Sequence, residues 1–272
     1  MAAFFYMVHS SLNPALVSQR AVQRLPRWAL LLFCAAYVLP GLFGRDPWRN
    51  ADVTAFGYMV GIADGRTSWW MPSVGGVAAD PAPVPYWLGA IFIRLLDPWI
   101  DPALAARLPF AMLLVAVLAL TWYAAYHLAR TEAAQPLPFA FGGEADPVDY
   151  ARAMADGALL ALIATLGLLQ LGHETTPELT QLACVALYIY AMAASPARGM
   201  SPKLAVMIGL PALAGSGAPS IALALGLAGS LVCVRSDYPI VRRFAPWVAG
   251  ATALTAVIAT ALDLWSLKIG SY

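Results

Sequence analysis

Residues 108–128 read LPFAMLLVAVLALTWYAAYHL, a run with no Asp, Glu, Lys or Arg. As a helix it reaches roughly 30 Å, the thickness of a bilayer's hydrocarbon core. The chain repeats this pattern on both sides, with apolar runs between polar breaks at Trp28–Phe43, Gly157–Leu171, Leu179–Ala194, Leu204–Ala214, Ile221–Val234 and Pro246–Leu262. Leu204–Ala214 is short, and Pro211 with the Gly215-Ser216-Gly217 turn predicts a kinked or tightly returning helix there. The expected fold is therefore all-α: a polytopic membrane helix bundle of about seven transmembrane helices, with interfacial helices in the first outer loop.

Composition supports lipid as the solvent. Of 272 residues, 61% are hydrophobic and 11% charged, and the mean hydropathy is +0.70. That leaves too little polar surface to clothe a water-soluble globule. The net charge of +1 gives no reason to expect nucleic acid as a partner. Cys34, Cys184 and Cys233 each lie in an apolar run and read as small buried hydrophobes. Met1–Val8 lacks a basic segment before its apolar residues, so the first span is expected to be retained.

An eighth apolar segment, Val84–Leu96, is too short to cross unaided and ends near Arg94 and Asp97. Whether it crosses decides the side of every later loop, and positive charge arbitrates. If it does not cross, Arg20, Arg24, Arg27, Arg130, Arg152, Arg198, Lys203, Arg235, Arg242 and Arg243 face the cytoplasm, 10 of the 16 basic residues. If it does, the balance inverts to 6 inside and 10 outside. The first arrangement is the expected one. It divides the chain into a cytoplasmic N-terminal segment (1–27), a transmembrane module (28–264) and a short outer tail (265–272). Within the module lie a first outer loop (44–107), a solvated cytoplasmic loop (129–155) and a second outer loop (172–178).

Polar chemistry gathers in the outer loops. Asp46-Pro47 can open a short helix carrying Asp52, Phe56 and Met59 at helical spacing, with Arg45 and Arg49 nearby. A carboxylate beside guanidiniums at headgroup depth can deprotonate a hydroxyl or help hold a divalent cation while Arg grips a phosphate. His173, Glu174 and Glu178 lie in the second outer loop. Blander readings stand beside these. Asp52 with Arg49 can be an ordinary interfacial ion pair. His173-Glu174 before Pro177 can be a helix start capped by Thr175 or Thr176. Trp48, Trp69, Trp70, Trp87 and Trp99 match an interfacial aromatic belt.

The order of features resembles a known family. A basic-flanked span is followed by an acidic outer loop, Asp64-Gly65, a Pro-rich stretch ending in Tyr86-Trp87-Leu88, and Ala106-Arg107-Leu108-Pro109 opening the next span. This is similar to the N-terminal membrane module of GT-C type glycosyltransferases, in the bacterial branch of aminoarabinose transferase and protein O-mannosyltransferases. The resemblance covers roughly Trp28–Leu187. It implies a multi-pass inner-membrane protein with a cytoplasmic N-terminus and periplasmic loops. Such a protein takes a sugar from a polyprenyl-phosphate carrier lipid and passes it to a lipid, glycan or protein hydroxyl.

By position, the resemblance implies a catalytic role for Asp52 and for an acidic residue of the second outer loop, Glu174 or Glu178, and phosphate or donor contacts for Arg45, Arg49, Arg66 and Arg107. His173, Tyr86 and Trp87 would line the acceptor side, and Asp52 would hold any Mg or Mn ion. The chain also departs from the pattern. The family's acidic pair falls on Ala51 and Asp52, and its Lys-Pro-Pro falls on Pro81-Ala82-Pro83, which removes the lysine. These departures support an alternative: a non-catalytic carrier-binding subunit whose partner supplies further C-terminal elements. A small-solute permease is disfavoured, because the spans hold almost no ionisable residues.

Overall fold

The computed structural model describes residues 16–22, 25–43, 46–47, 50–196 and 199–265. The chain is mostly helical. The helices are α1 (Arg27–Val38), α2 (Asn50–Ala63), α3 (Pro83–Leu96), α4 (Pro102–Ala129), α5 (Pro147–Ile163), α6 (Leu166–Leu171), α7 (Pro177–Ala193), α8 (Ser201–Gly215), α9 (Pro219–Arg235), α10 (Pro239–Arg242) and α11 (Ala245–Ala261). Two stretches, Pro102–Ala129 and Pro239–Ala261, are long and apolar enough to cross a membrane by length and composition.

Proline sets many of the starts. Pro83, Pro102, Pro147, Pro177, Pro219 and Pro239 all open helices, where the missing N–H costs nothing and the fixed φ suits the first turn. Asp101 and Asp146 complete two of these starts. The Asp101 carboxylate accepts from the Ala103 and Leu104 amides at 2.8 and 3.3 Å. Asp146 accepts from Val148 and Asp149 at 2.9 and 3.3 Å. Each cap satisfies amides that have no partner inside the helix.

The mostly helical chain agrees with the expected all-α class and carries one small addition. Ser73–Val74 (β1) and Val77–Ala78 (β2) form an antiparallel hairpin in which Ser73 pairs with Ala78 and Val74 with Val77. Gly75 and Gly76 carry φ of 58° and 82°. That tight two-residue turn needs positive φ at both positions, which two glycines supply without strain.

Within the expected loop 129–155, the Asp146-Pro147 start makes the last third helical. The remainder is tied to the N-terminal segment. The Gln19 amide donates to Gly143 O at 3.0 Å and the Ala145 amide to Val17 O at 3.0 Å. The Gln19 side chain adds bonds to the Asp146 amide at 2.6 Å and the Asp149 carboxylate at 3.0 Å.

Of three apolar cores among the described residues, two are the larger. One gathers α1–α4 around Tyr37, Met59, Ile62, Phe110 and Leu114. The other gathers α7, α8, α9 and α11 around Tyr188, Val206, Leu210 and Val248. α7 joins them, since it packs on both α4 and α8. In the second core α9 approaches closely through Gly229, whose Cα faces the Tyr188 hydroxyl. That hydroxyl donates to Leu225 O at 2.6 Å. Of the three cysteines, Cys184 and Cys233 are buried and Cys34 is half-buried.

One buried charge lies far from the expected site. Asp156 on α5 is buried and accepts from the Trp122 indole N–H of α4 at 2.8 Å. Removing that donor leaves a buried carboxylate oxygen short of a partner. Trp122→Phe is therefore expected to lower stability by ~1–3 kcal/mol, read as a lower midpoint in thermal unfolding of the detergent-solubilised protein.

Candidate functional site

Asp52 lies in the first turn of α2 and is 1% exposed. Its Oδ1 accepts two hydrogen bonds from one residue, from the Thr175 amide at 2.8 Å and the Thr175 hydroxyl at 2.7 Å. The two residues are 123 positions apart in sequence. Asp52 Oδ2 is buried and has no hydrogen-bond partner among the described residues. An ionised oxygen left without a partner in that state is costly.

Other polar groups are buried close along the chain to Thr175. Glu174, Thr175, Thr176 and Thr180 run from the α6–α7 connection into α7, and all are buried. The hydroxyls of Thr176 and Thr180 have no partner among the described residues. Thr176 occupies the N-cap position of α7 with extended backbone, but its side chain makes no capping bond. The expected cap by Thr175 or Thr176 is thus corrected: the Thr175 hydroxyl serves Asp52 instead. Arg107, near the start of α4, is also buried. With His173, Gly41 and Gly172 it lines a cavity of about 10 Å³, room for about one water molecule.

His173 acts as a clasp. Its Nδ1 lies 3.0 Å from Leu169 O and its Nε2 lies 3.0 Å from Tyr37 O. Both nitrogens are therefore engaged with backbone, and the ring ties the α1 end to the connection carrying Thr175. A chain turn at Gly41 passes directly over the ring.

The remaining expected residues fall in different places. Tyr86 on α3 is buried and meets Tyr58 edge to face at 5.3 Å. Burial first, then the Asp80 carboxylate, Tyr58 and Glu178, raise its phenol above the ordinary value, so it stays a neutral hydroxyl. Trp87 donates its indole N–H to Trp69 O at 2.6 Å and packs edge to face on Trp70, which fixes the strands' approach to α3. Arg66 is exposed and pairs with Asp64 two residues earlier at 2.6 Å. Glu178 is exposed at the start of α7. Arg45 and Arg49 lie outside the described residues, as does Trp48.

Sequence reasoning missed the roles of Thr175, Thr180 and Asp156. For Asp156 a signal existed, a lone acid at the edge of an apolar helical run. For Thr180 there was none, since a threonine in an apolar helix is ordinary.

A carboxylate with one oxygen fixed and the other without a partner among the described residues suits proton transfer at a defined position. No group of three or more His, Cys, Asp or Glu that could hold one occurs among the described residues. No family model matches the chain, and neither a curated protein nor a solved structure is significantly similar to it.

Proposed function

We propose that this chain is a polytopic, GT-C-like glycosyltransferase of the inner membrane that uses a polyprenyl-phosphate-linked sugar at the non-cytoplasmic face. The observation that carries the reading is Asp52: a buried carboxylate with one oxygen held by Thr175 and the other without a hydrogen-bond partner among the described residues. In the proposed reaction Asp52 Oδ2 takes the proton of an acceptor hydroxyl. The acceptor oxygen bonds to the anomeric carbon as its bond to the carrier phosphate breaks. Arg45, Arg49 and Arg107 receive the charge that the leaving phosphate gains. No step is routed through a metal ion.

The seven-span arrangement is part of the proposal. Large apolar side chains stand exposed on several helices, including Leu31, Leu32 and Phe33 on α1, Leu227, Leu231 and Val232 on α9, and Val257 on α11. Apolar surface of that extent on so many elements is what lipid covers. Helices shorter than about 20 residues cross where the bilayer thins or flanking side chains snorkel.

A non-catalytic carrier-binding subunit is the second reading, favoured by Ala51 beside Asp52 and by Pro81 where the family has lysine. Both readings require carrier binding. The purified protein in detergent is expected to bind polyprenyl phosphate, and Arg49→Ala is expected to weaken binding about tenfold, the loss of one charge-assisted contact. Absence of binding in both forms removes both readings.

A further inference from the structure

α7 has a second functional face. Glu178, Gln181, Leu182 and Val185 follow one another at helical spacing, while Thr180 lies on the opposite side. The Glu178 face borders a cavity of about 420 Å³, closed by Leu168 of α6, Leu213 of α8 and Ile221 of α9, with Thr165 at the α5–α6 break. That volume lies within the range of small-molecule sites.

The wall is almost wholly apolar, and its polar groups are unequal. The Thr165 hydroxyl already donates to Leu162 O at 2.6 Å. The Gln181 amide donates to Ser216 O at 2.7 Å. Among the described residues, Glu178 is the only ionisable one lining the cavity, and no cation pairs with it. An apolar chamber with one uncompensated carboxylate at its rim rejects an anionic head and attracts a cationic one. In this it is the electrostatic opposite of a phosphate site.

We infer that this cavity is a second lipid site, which takes the alkyl chain of an amine-headed amphiphile with its ammonium group on Glu178. The site goes beyond carrier binding and is independent of Asp52. Leu171, Leu182 and Ile221 are exposed around it, so the chain enters sideways from lipid rather than through the polar connections.

Photo-crosslinking in phosphatidylcholine nanodiscs tests this. Two probes share one alkyl-diazirine chain and differ only in an ammonium or a sulfate head, and labelled peptides are mapped by mass spectrometry. The ammonium probe is expected to label 162–185 about tenfold more than the sulfate probe. Glu178→Gln, an isosteric change at an exposed site, is expected to equalise the two. Val185→Trp fills the chamber and is expected to abolish labelling there by both probes while labelling elsewhere on the chain persists. Equal labelling by both heads in the unmodified protein overturns the inference, as does a preference that survives Glu178→Gln. Loss of polyprenyl-phosphate binding leaves these outcomes unchanged, so the two proposals fail separately.

Discussion

Asp52→Asn is expected to reduce sugar transfer by at least about a hundredfold while the protein's thermal stability stays level or rises. The two effects have one cause. The asparagine carbonyl can still accept from the Thr175 amide and hydroxyl, so the link between α2 and the α6–α7 connection survives. What disappears is the charge on a carboxylate whose second oxygen is buried with no hydrogen-bond partner among the described residues. Removing a buried charge of that kind relieves a desolvation cost rather than breaking a contact. If Asp52 were one half of an interfacial ion pair, the same substitution would strip its partner and lower stability instead. Transfer of radiolabelled sugar from a polyprenyl-phosphate donor, measured beside a melting curve of the same preparation, separates the cases. Full activity in Asp52→Asn would sink the catalytic role. Carrier binding without transfer in the unmodified protein would select the non-catalytic reading.

Local signals carried much of the fold into the sequence. The apolar run expected at Leu179–Ala194 is the helix Pro177–Ala193, and the run at Ile221–Val234 is Pro219–Arg235. In both, the helix begins earlier than the hydropathy does, because proline suits a first turn without being apolar enough to announce a span. Val84–Leu96 was legible as a short apolar element and is the helix Pro83–Leu96. The run Gly157–Leu171 hid its break: α5 ends at Ile163 and α6 restarts at Leu166, although the intervening Ala-Thr carries no breaker residue. Asp52 was legible as a candidate because a carboxylate among apolar residues stands out. Its partner was not, because Thr175 and Asp52 meet only through the packing of α2 beside the connection into α7. Helical periodicity places residues on one element. It does not say which threonine of a distant turn arrives there.

The second large effect is expected at a residue with no chemistry of its own, Gly41. This residue ends the short 3-10 turn Leu39–Gly41 that follows α1. A Cβ built there falls inside the imidazole of His173, against its Cδ2 and Cγ atoms and 2.6 Å from Nε2. The ring cannot swing aside cheaply, because its two nitrogens hold Leu169 O and Tyr37 O, each at 3.0 Å. Gly41→Ala must therefore displace either the turn or the clasp, and overpacking of this kind costs ~1–3 kcal/mol. The damage passes to the site through sequence proximity: Thr175 lies two residues beyond His173, and a displaced connection withdraws both donors from Asp52. Gly41→Ala is thus expected to lower the melting temperature and transfer together, unlike Asp52→Asn, which separates them. His173→Ala by itself is also expected to be destabilising, since it unties α1 from the connection. In the double variant, however, the alanine methyl at position 41 occupies space the ring has left, so the combined loss should fall short of the sum of the single losses. A double-mutant cycle by thermal unfolding measures that shortfall. Strict additivity would mean that Gly41 and His173 are not in contact, and the clasp would then not be what holds Thr175 against Asp52.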